Sequence, residues 1–149
     1  MKNTTIYSCL LIGYFCFFTT TTQAQALLDW FNLSDVKFEE KQIPGEELNY
    51  NHATFGPSVK PFEGVEVMIS GYIIPMDPMG VSYVLSRNPN ASCFFCGGAG
   101  PETVIQLNLT PSAIKRYKTD DRLTFKGIFR AKETDIESLT YVLEYAEEM

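Results

Sequence analysis

The chain has 149 residues, 45% of them hydrophobic and 20% charged, which is enough for one domain with its own core. Its formal net charge of −6 disfavours nucleic acids and anionic lipids as partners, because both require a positive surface. The chain has one histidine, so few side chains can act as a general base near neutral pH. No nucleophile–histidine–acid, phosphate-loop or paired-carboxylate motif stands out, so no sequence feature indicates an enzyme.

The first predicted element is a secretory signal peptide at residues 1–26. Lys2 supplies the positive start, residues 6–18 form an apolar run, and Ala24 and Ala26 suit cleavage. The apolar run is shorter than the roughly 20 residues of a membrane span. We therefore expect an exported chain in the bacterial periplasm, without a transmembrane span after cleavage and, once Lys2 is lost, with a formal charge of −6 − 1 = −7.

Residues 27–52 are predicted to form an N-terminal extension. The run Leu27–Leu33 suits one helical turn, in which Trp30 and Phe31 would pack onto the main domain. The alternation of apolar and polar residues at 36–38 predicts a short strand.

Residues 53–149 are predicted to form the main domain. Prolines and glycines over 43–61 indicate mainly loop. Alternating apolar residues predict strands at 65–74, 81–85, 103–109 and 123–129. Residues 139–145 fit either a helix or a strand, and their β-branched and aromatic content favours a strand. Gly71 suggests a bulge or bend, and Thr110 suits the N-cap of a short helix over 111–118. The predicted fold class is mainly β, a small OB-like β-barrel of about five strands with one short helix.

A Cys-x-x-Cys loop is the motif with the most chemistry. Cys93 and Cys96 are the only cysteines outside the leader, and two thiols at this spacing can form a disulfide, hold a soft metal or carry redox chemistry. The other residues of the loop that we expect to contact a partner are Phe94, Phe95, Gly97, Gly98, Gly100 and Pro101.

Metal binding is one interpretation of this pair. The thiolates of Cys93 and Cys96 suit zinc or copper(I), but zinc normally takes four ligands. Further ligands would have to come from His52, the only histidine, and from Glu102.

A structural disulfide between the two cysteines is an alternative. Disulfides persist outside the cytoplasm, and this one would stiffen a glycine-rich loop between two strands. Because the closed loop is very short, its stabilisation should lie at the low end of the usual range. The protein would then be a disulfide-stapled β domain whose ligand is unknown.

Thiol–disulfide exchange is a further alternative. A catalytic Cys-x-x-Cys normally lies at a helix N-terminus, where the dipole lowers the thiol pKa. Three glycines and Pro101 follow the pair, and these residues oppose a helix. We expect instead an exported, non-enzymatic binding or accessory module whose loop binds a soft metal or a periplasmic protein partner.

Residues 55–145 also resemble an uncharacterised family of small exported bacterial proteins, classed as a domain of unknown function. The matching segments are Phe55 with Val59, Phe62-Glu63-Gly64-Val65-Glu66-Val67, Gly71-Tyr72-Ile73-Ile74-Pro75-Met76 and Tyr83-Val84-Leu85. The resemblance implies the barrel fold and export, and some family members look associated with transporter genes for metal supply. The family pattern has one cysteine before a histidine and a proline run, so the loop at 92–102 marks a divergent branch.

Overall fold

A computed structural model describes residues 25–42, 49–77, 82–89, 100–134 and 138–149. Within these ranges the elements are β1 (Ala26–Leu27), α1 (Trp30–Leu33), β2 (Val36–Gln42), β3 (Asn49–Phe55), β4 (Glu66–Pro75), β5 (Tyr83–Ser86), β6 (Val104–Leu109), β7 (Arg122–Ala131) and β8 (Tyr141–Glu148). Single 3-10 turns are found at Lys60–Phe62, Pro101–Thr103 and Pro111–Ala113. No helix in the described part of the chain has the length and apolar character needed to cross a bilayer.

Five strands close a barrel in the order β4-β5-β6-β8-β7, and β7 pairs back onto β4. All of these neighbours are antiparallel except β6 and β8, which run parallel. The predicted fold class is confirmed, since the protein is mainly β with a small OB-like barrel of five strands and one short helix.

The barrel interior holds the core, because successive side chains of a strand point to opposite faces. In β4, Val67 and Ile69 are fully buried, whereas their neighbours Glu66 and Met68 are partly exposed. Large side chains that fill the same core from the other barrel strands are Tyr83, Leu85, Ile105, Phe125, Phe129, Tyr141 and Leu143.

Gly71 lies where β5 approaches β4 closely. A Cβ added there would lie 2.6 Å from the Ser86 carbonyl oxygen and 2.8 Å from Leu85 Cγ, so only glycine fits without a shift. The β4–β7 register runs unbroken from Glu66 to Tyr72, so the glycine serves this close approach and not a bulge.

The N-terminal segment covers the free edge of β4. β1 pairs parallel with β4, placing Ala26 opposite Val67, and the Leu28 amide donates to the Met68 carbonyl oxygen at 2.9 Å. Ala26 and the preceding Gln25 belong to the predicted signal peptide, whose residues 1–24 lie outside the described ranges.

The predicted helical turn is confirmed as α1, but the prediction that both Trp30 and Phe31 pack onto the main domain is wrong for Phe31. Trp30 is partly buried against the core, whereas Phe31 is 80% exposed. A single turn has only one inward face, and Leu33 fills it with no exposure at all.

The prediction of loop over residues 43–61 is wrong for β3. Asn49–Phe55 pairs with β2 over its whole length, and the prediction boundary at 52/53 falls inside this strand. Its inner end is apolar, since Ala53 and Phe55 are buried and the Phe55 ring lies 5.7 Å from that of Tyr141. The turn-forming residues that suggested a loop lie on either side of the strand.

The predicted helix at residues 111–118 is also wrong, because only the 3-10 turn Pro111–Ala113 forms there. The Thr110 side chain makes no cap hydrogen bond. An eight-residue helix is marginal on its own. The segment packs against the core instead. The Tyr117 amide lies 3.3 Å from the Tyr83 hydroxyl, and the centre of the Tyr117 ring lies 5.6 Å from that of Phe125.

Candidate functional site

The candidate site is the end of the barrel where β5 connects to β6. The described stem of this connection is held by backbone hydrogen bonds: the Arg87 amide donates to the Thr103 carbonyl oxygen at 2.9 Å, and the Thr103 amide donates to the Gly100 carbonyl oxygen at 3.0 Å. The Thr103 hydroxyl also donates to Gly100, at 2.8 Å. These hydrogen bonds therefore fix the positions at which the connection leaves β5 and enters β6.

Strand directions bring four strand ends together with the end of β5 at this end of the barrel, which we call the loop end. β4 and β6 are both antiparallel to β5 and begin there, and β8 begins there because it is parallel to β6. β7 ends there, since it is antiparallel to β8. The helix α1 contacts the 3-10 turn Pro101–Thr103, and the inner end of β3 packs on Tyr141.

Most residues of the predicted site lie outside the described ranges. They are Cys93, Cys96, Phe94, Phe95, Gly97 and Gly98. The disulfide, the metal site and the redox role of the two cysteines therefore all stay predictions.

The described end of the loop is the run Gly100–Glu102. Pro101 begins the 3-10 turn that ends at Thr103, so the chain enters β6 through a tight turn and not through an α-helix. The Glu102 carboxylate folds back over Gly100, where a Cβ would overlap it. Because glycine has no side chain, the Glu102 carboxylate can lie against the backbone at position 100.

Glu102 and Asp35 lie near a buried tyrosine. Tyr141 has no exposed surface, and its hydroxyl donates to the Leu33 carbonyl oxygen at 2.8 Å. Burial raises the pKa of Tyr141 far above its ordinary value, and the negative charges of Glu102 and Asp35 raise this pKa further. Tyr141 therefore serves as a protonated donor that ties α1 to the barrel.

His52 lies on the β2–β3 hairpin, opposite Glu39 in the register. Its ring meets that of Tyr50 edge-on at 6.4 Å, and its Nδ1 is buried with no hydrogen-bond partner in the described ranges. No group of three or more His, Cys, Asp or Glu suited to a metal forms among the residues that the structure describes. His52 and Glu102 are thus not joined in such a group there.

Sequence reasoning missed Asp35 as a residue of this end. One carboxylate oxygen of Asp35 accepts a 2.8 Å hydrogen bond from the Ser58 amide, which fixes the turn after β3. The carboxylate also packs against Gly56, where a Cβ would overlap it. No sequence signal indicated this approach, because Gly56 stood in a predicted loop and β3 was not predicted.

Comparison with protein-family models, with curated proteins and with solved structures finds no match to this chain. The resemblance of residues 55–145 to a family of small exported bacterial proteins therefore stays a prediction, and the fold stands on the strand order alone.

Proposed function

We propose that this protein is an exported, non-enzymatic binding module that holds a soft metal ion at the loop end of its barrel through Cys93 and Cys96. The observation that carries the proposal is the hydrogen-bonded stem Arg87–Thr103, which fixes the two described ends of the β5–β6 connection and lies next to α1. Thiol ligands on a fixed stem lose less conformational entropy on binding than ligands on a free chain.

Two acidic side chains near this end favour a cation over an anion. Glu102 lies at the base of the loop, Asp35 lies near the same tyrosine, and the whole chain carries a formal charge of −6. Negative groups near a site attract cations and oppose anions. A soft cation also matches two thiolates, which are among the ligands that select copper(I).

Copper(I) is a better match than zinc to the ligands that the chain can supply. Zinc in structural sites takes four ligands, usually cysteine and histidine. Outside the predicted leader the sequence has two cysteines and His52, so a set of four sulfur and nitrogen ligands is incomplete. We therefore name copper(I), with zinc as the comparison metal.

The same proposal includes export to the bacterial periplasm, cleavage of a signal peptide at residues 1–26, and membership of a divergent branch of the uncharacterised exported family. Their support is the leader sequence and the quoted strand motifs. A periplasmic protein that delivers or receives the metal would contact Phe94 and Phe95, the aromatic residues between the two thiols.

The test is a competition titration of the reduced, leader-free protein with copper(I) and a chromophoric chelator, without oxygen. We expect one copper(I) per chain and a loss of affinity of at least about tenfold in Cys93→Ser and in Cys96→Ser, a change equal to about 1.4 kcal/mol. Glu102→Gln and His52→Ala are matched controls that ask whether either side chain completes the site.

Equal affinities in the wild type and both cysteine variants would overturn the proposal. The intact mass of protein isolated from the export compartment gives an independent answer. A mass lacking two hydrogens and carrying no metal would favour the structural disulfide. A thiol pKa well below the ordinary value of about 8.5 would favour thiol–disulfide exchange.

A further inference from the structure

The strands β2 and β3 form a two-stranded sheet of their own. In the described part of the chain, residues 36–41 of β2 pair with β3 on one side and with no strand on the other side, which we call the outer edge. Val36 and Phe38 pack against the core, whereas Lys37 and residues 39–41 are exposed. Two strands alone are at best marginally stable in water, so a further strand along the outer edge would stabilise the exposed half of this sheet.

Two backbone hydrogen bonds show which residues of β2 point to the outer edge. Antiparallel ladders alternate between pairs that exchange hydrogen bonds and pairs whose amide and carbonyl groups point outward. The Gly56 amide donates to the Asp35 carbonyl oxygen at 2.8 Å, so the position just before β2 bonds inward. The Ala53 amide donates to the Glu133 carbonyl oxygen at 3.2 Å, so Ala53 and its partner Phe38 point outward. By alternation, the residues of β2 with outward groups among 36–41 are Val36, Phe38 and Glu40.

These outward groups limit how a second copy of β2 can add to the outer edge. In an antiparallel pair, an outward-pointing residue must meet another outward-pointing residue, because the two exchange hydrogen bonds. The registers that satisfy this rule and pair most of β2 are centred on Phe38, Glu39 or Glu40. The charges along the strand then decide between them.

Of these registers, only the one centred on Phe38 avoids placing like charges opposite each other. The register centred on Glu39 puts that residue opposite itself and Lys37 opposite Lys41, and the register centred on Glu40 puts this acid opposite itself. Centring on Phe38 instead places Lys37 of each copy opposite Glu39 of the other. Such a position lies between the hydrogen-bonded pairs, where Cα atoms approach to about 4.5 Å and side chains interact most closely.

We propose that the protein forms a two-fold homodimer in which β2 pairs with β2 of a second copy around Phe38. The two sheets join into one, in the order β3-β2-β2-β3. Charged side chains on a strand edge ordinarily oppose such pairing, but the two-fold axis here turns Lys37 and Glu39 into attractive pairs. The charge complementarity of β2 with itself is the argument for a second copy as the occupant. Because the contact is a single pair of strands, the dimer is weak.

The test is sedimentation velocity of the leader-free protein over a concentration series up to about 1 mM, the weak limit of specific recognition. A reductant and a chelator are present, so neither an intermolecular disulfide nor a shared metal ion can join two chains. We expect a reversible monomer–dimer equilibrium. Lys37→Glu and Glu39→Lys each place like charges opposite each other, and each should weaken the dimer by at least about tenfold.

Two further variants complete the design. Combining Lys37→Glu with Glu39→Lys restores the attractive pairs with their signs exchanged, so this variant should dimerise like the wild type. Lys118→Glu makes the same change of net charge at another exposed lysine and should leave the dimer unchanged. All of these substitutions are at exposed positions, so far-UV circular dichroism should show the native fold in each.

The proposal is overturned if the wild type stays monomeric up to about 1 mM. It is also overturned if Lys37→Glu dimerises as tightly as the wild type, if Lys118→Glu weakens the dimer as much, or if the combined variant stays monomeric. The dimer does not use the cysteine pair, and none of these results bears on copper(I) binding. The two proposals therefore fail independently.

Discussion

The indole of Trp30 donates a 2.7 Å hydrogen bond from Nε1 to the carbonyl oxygen of Ser70. Ser70 lies in the half of β4 that pairs with β7 on one side and has the N-terminal segment on its other side. The same indole lies over Gly71, since its Cζ2 would be 3.0 Å from a Cβ there. One side chain thus satisfies the backbone and covers the close approach of β4 and β5.

Trp30→Phe should destabilise the protein by about 1–3 kcal/mol, because the Ser70 carbonyl oxygen loses its partner in a partly buried place. The measurement is chemical denaturation followed by far-UV circular dichroism. Phe31→Ala is the matched control on the same helical turn, and its exposed ring should change stability by less than about 0.5 kcal/mol. Equal effects of the two substitutions would contradict this role of the indole.

Gly71→Ala should cost about 1–3 kcal/mol or more, since the added methyl group meets the Ser86 backbone oxygen and not a flexible side chain. Thermal unfolding of the purified variant checks the prediction. Ser112→Ala, at an exposed position, serves as the control for an added alanine. A Gly71→Ala variant as stable as the wild type would show that β4 and β5 separate more easily than their packing indicates.

Stability should fall at alkaline pH because of Tyr117. Burial, followed by the charge of Glu148 and its hydrogen bond, raises the pKa of Tyr117 to about 12, whereas tyrosine in an unfolded chain has a pKa of about 10. The folded state keeps the proton that the unfolded state loses. The resulting stabilisation is complete below pH of about 10 and disappears as the pH rises to about 12.

Tyr117→Phe should therefore show a shallower loss of unfolding free energy over that window, although Tyr141, whose pKa is also raised, keeps part of the slope. Glu148→Gln removes the charge next to Tyr117 and should make tyrosinate absorbance appear at lower pH. If the absorbance titrations of wild type and Glu148→Gln coincide, Glu148 does not act on Tyr117.

Removal of the N-terminal segment should also destabilise the barrel. A chain that begins at Asp29 lacks the β1 pairing and the Leu28 side chain, which is 2% exposed and contributes about 1.5–3 kcal/mol by burial. A chain that begins at Gln25 keeps both and is the control. Denaturant titrations of the two chains with coincident midpoints would contradict this role of β1.

The barrel strands could be predicted because their alternation reflects burial on one face. β4, predicted at residues 65–74, alternates in this way from Glu66 to Ile73. Residues 139–145 fitted a helix as well as a strand, and their β-branched and aromatic content favoured the strand that forms as β8, in which Tyr141, Val142 and Leu143 are all buried. The strand β3 could not be found this way, because only its inner end is buried and its outer half is polar on both faces. The prediction of a helix at 111–118 was wrong for a different reason. Its first residues favour a helix N-terminus, but the packing of Tyr117 against the barrel holds the segment in another conformation.

The candidate site was predictable in part. The position of the loop between two strands followed from the sequence, since the strands on either side alternate. Its surroundings did not follow, because Asp35 and Tyr141 are far apart in the chain and come near each other only because α1 docks on the barrel. The positive φ of Tyr145 in β8 could not be predicted either, because nothing in a run of strand-forming residues indicates which one adopts it.

The place of β8 in the barrel has a consequence for folding. β8 follows the other described strands in sequence, yet it lies between β6 and β7, so these two strands do not have β8 as their common partner until residues 141–148 pair with them. Closure then depends on contacts between distant parts of the chain, which form slowly. A chain shortened before β8 would expose two unpaired strand edges, the kind of surface on which chains join into aggregates.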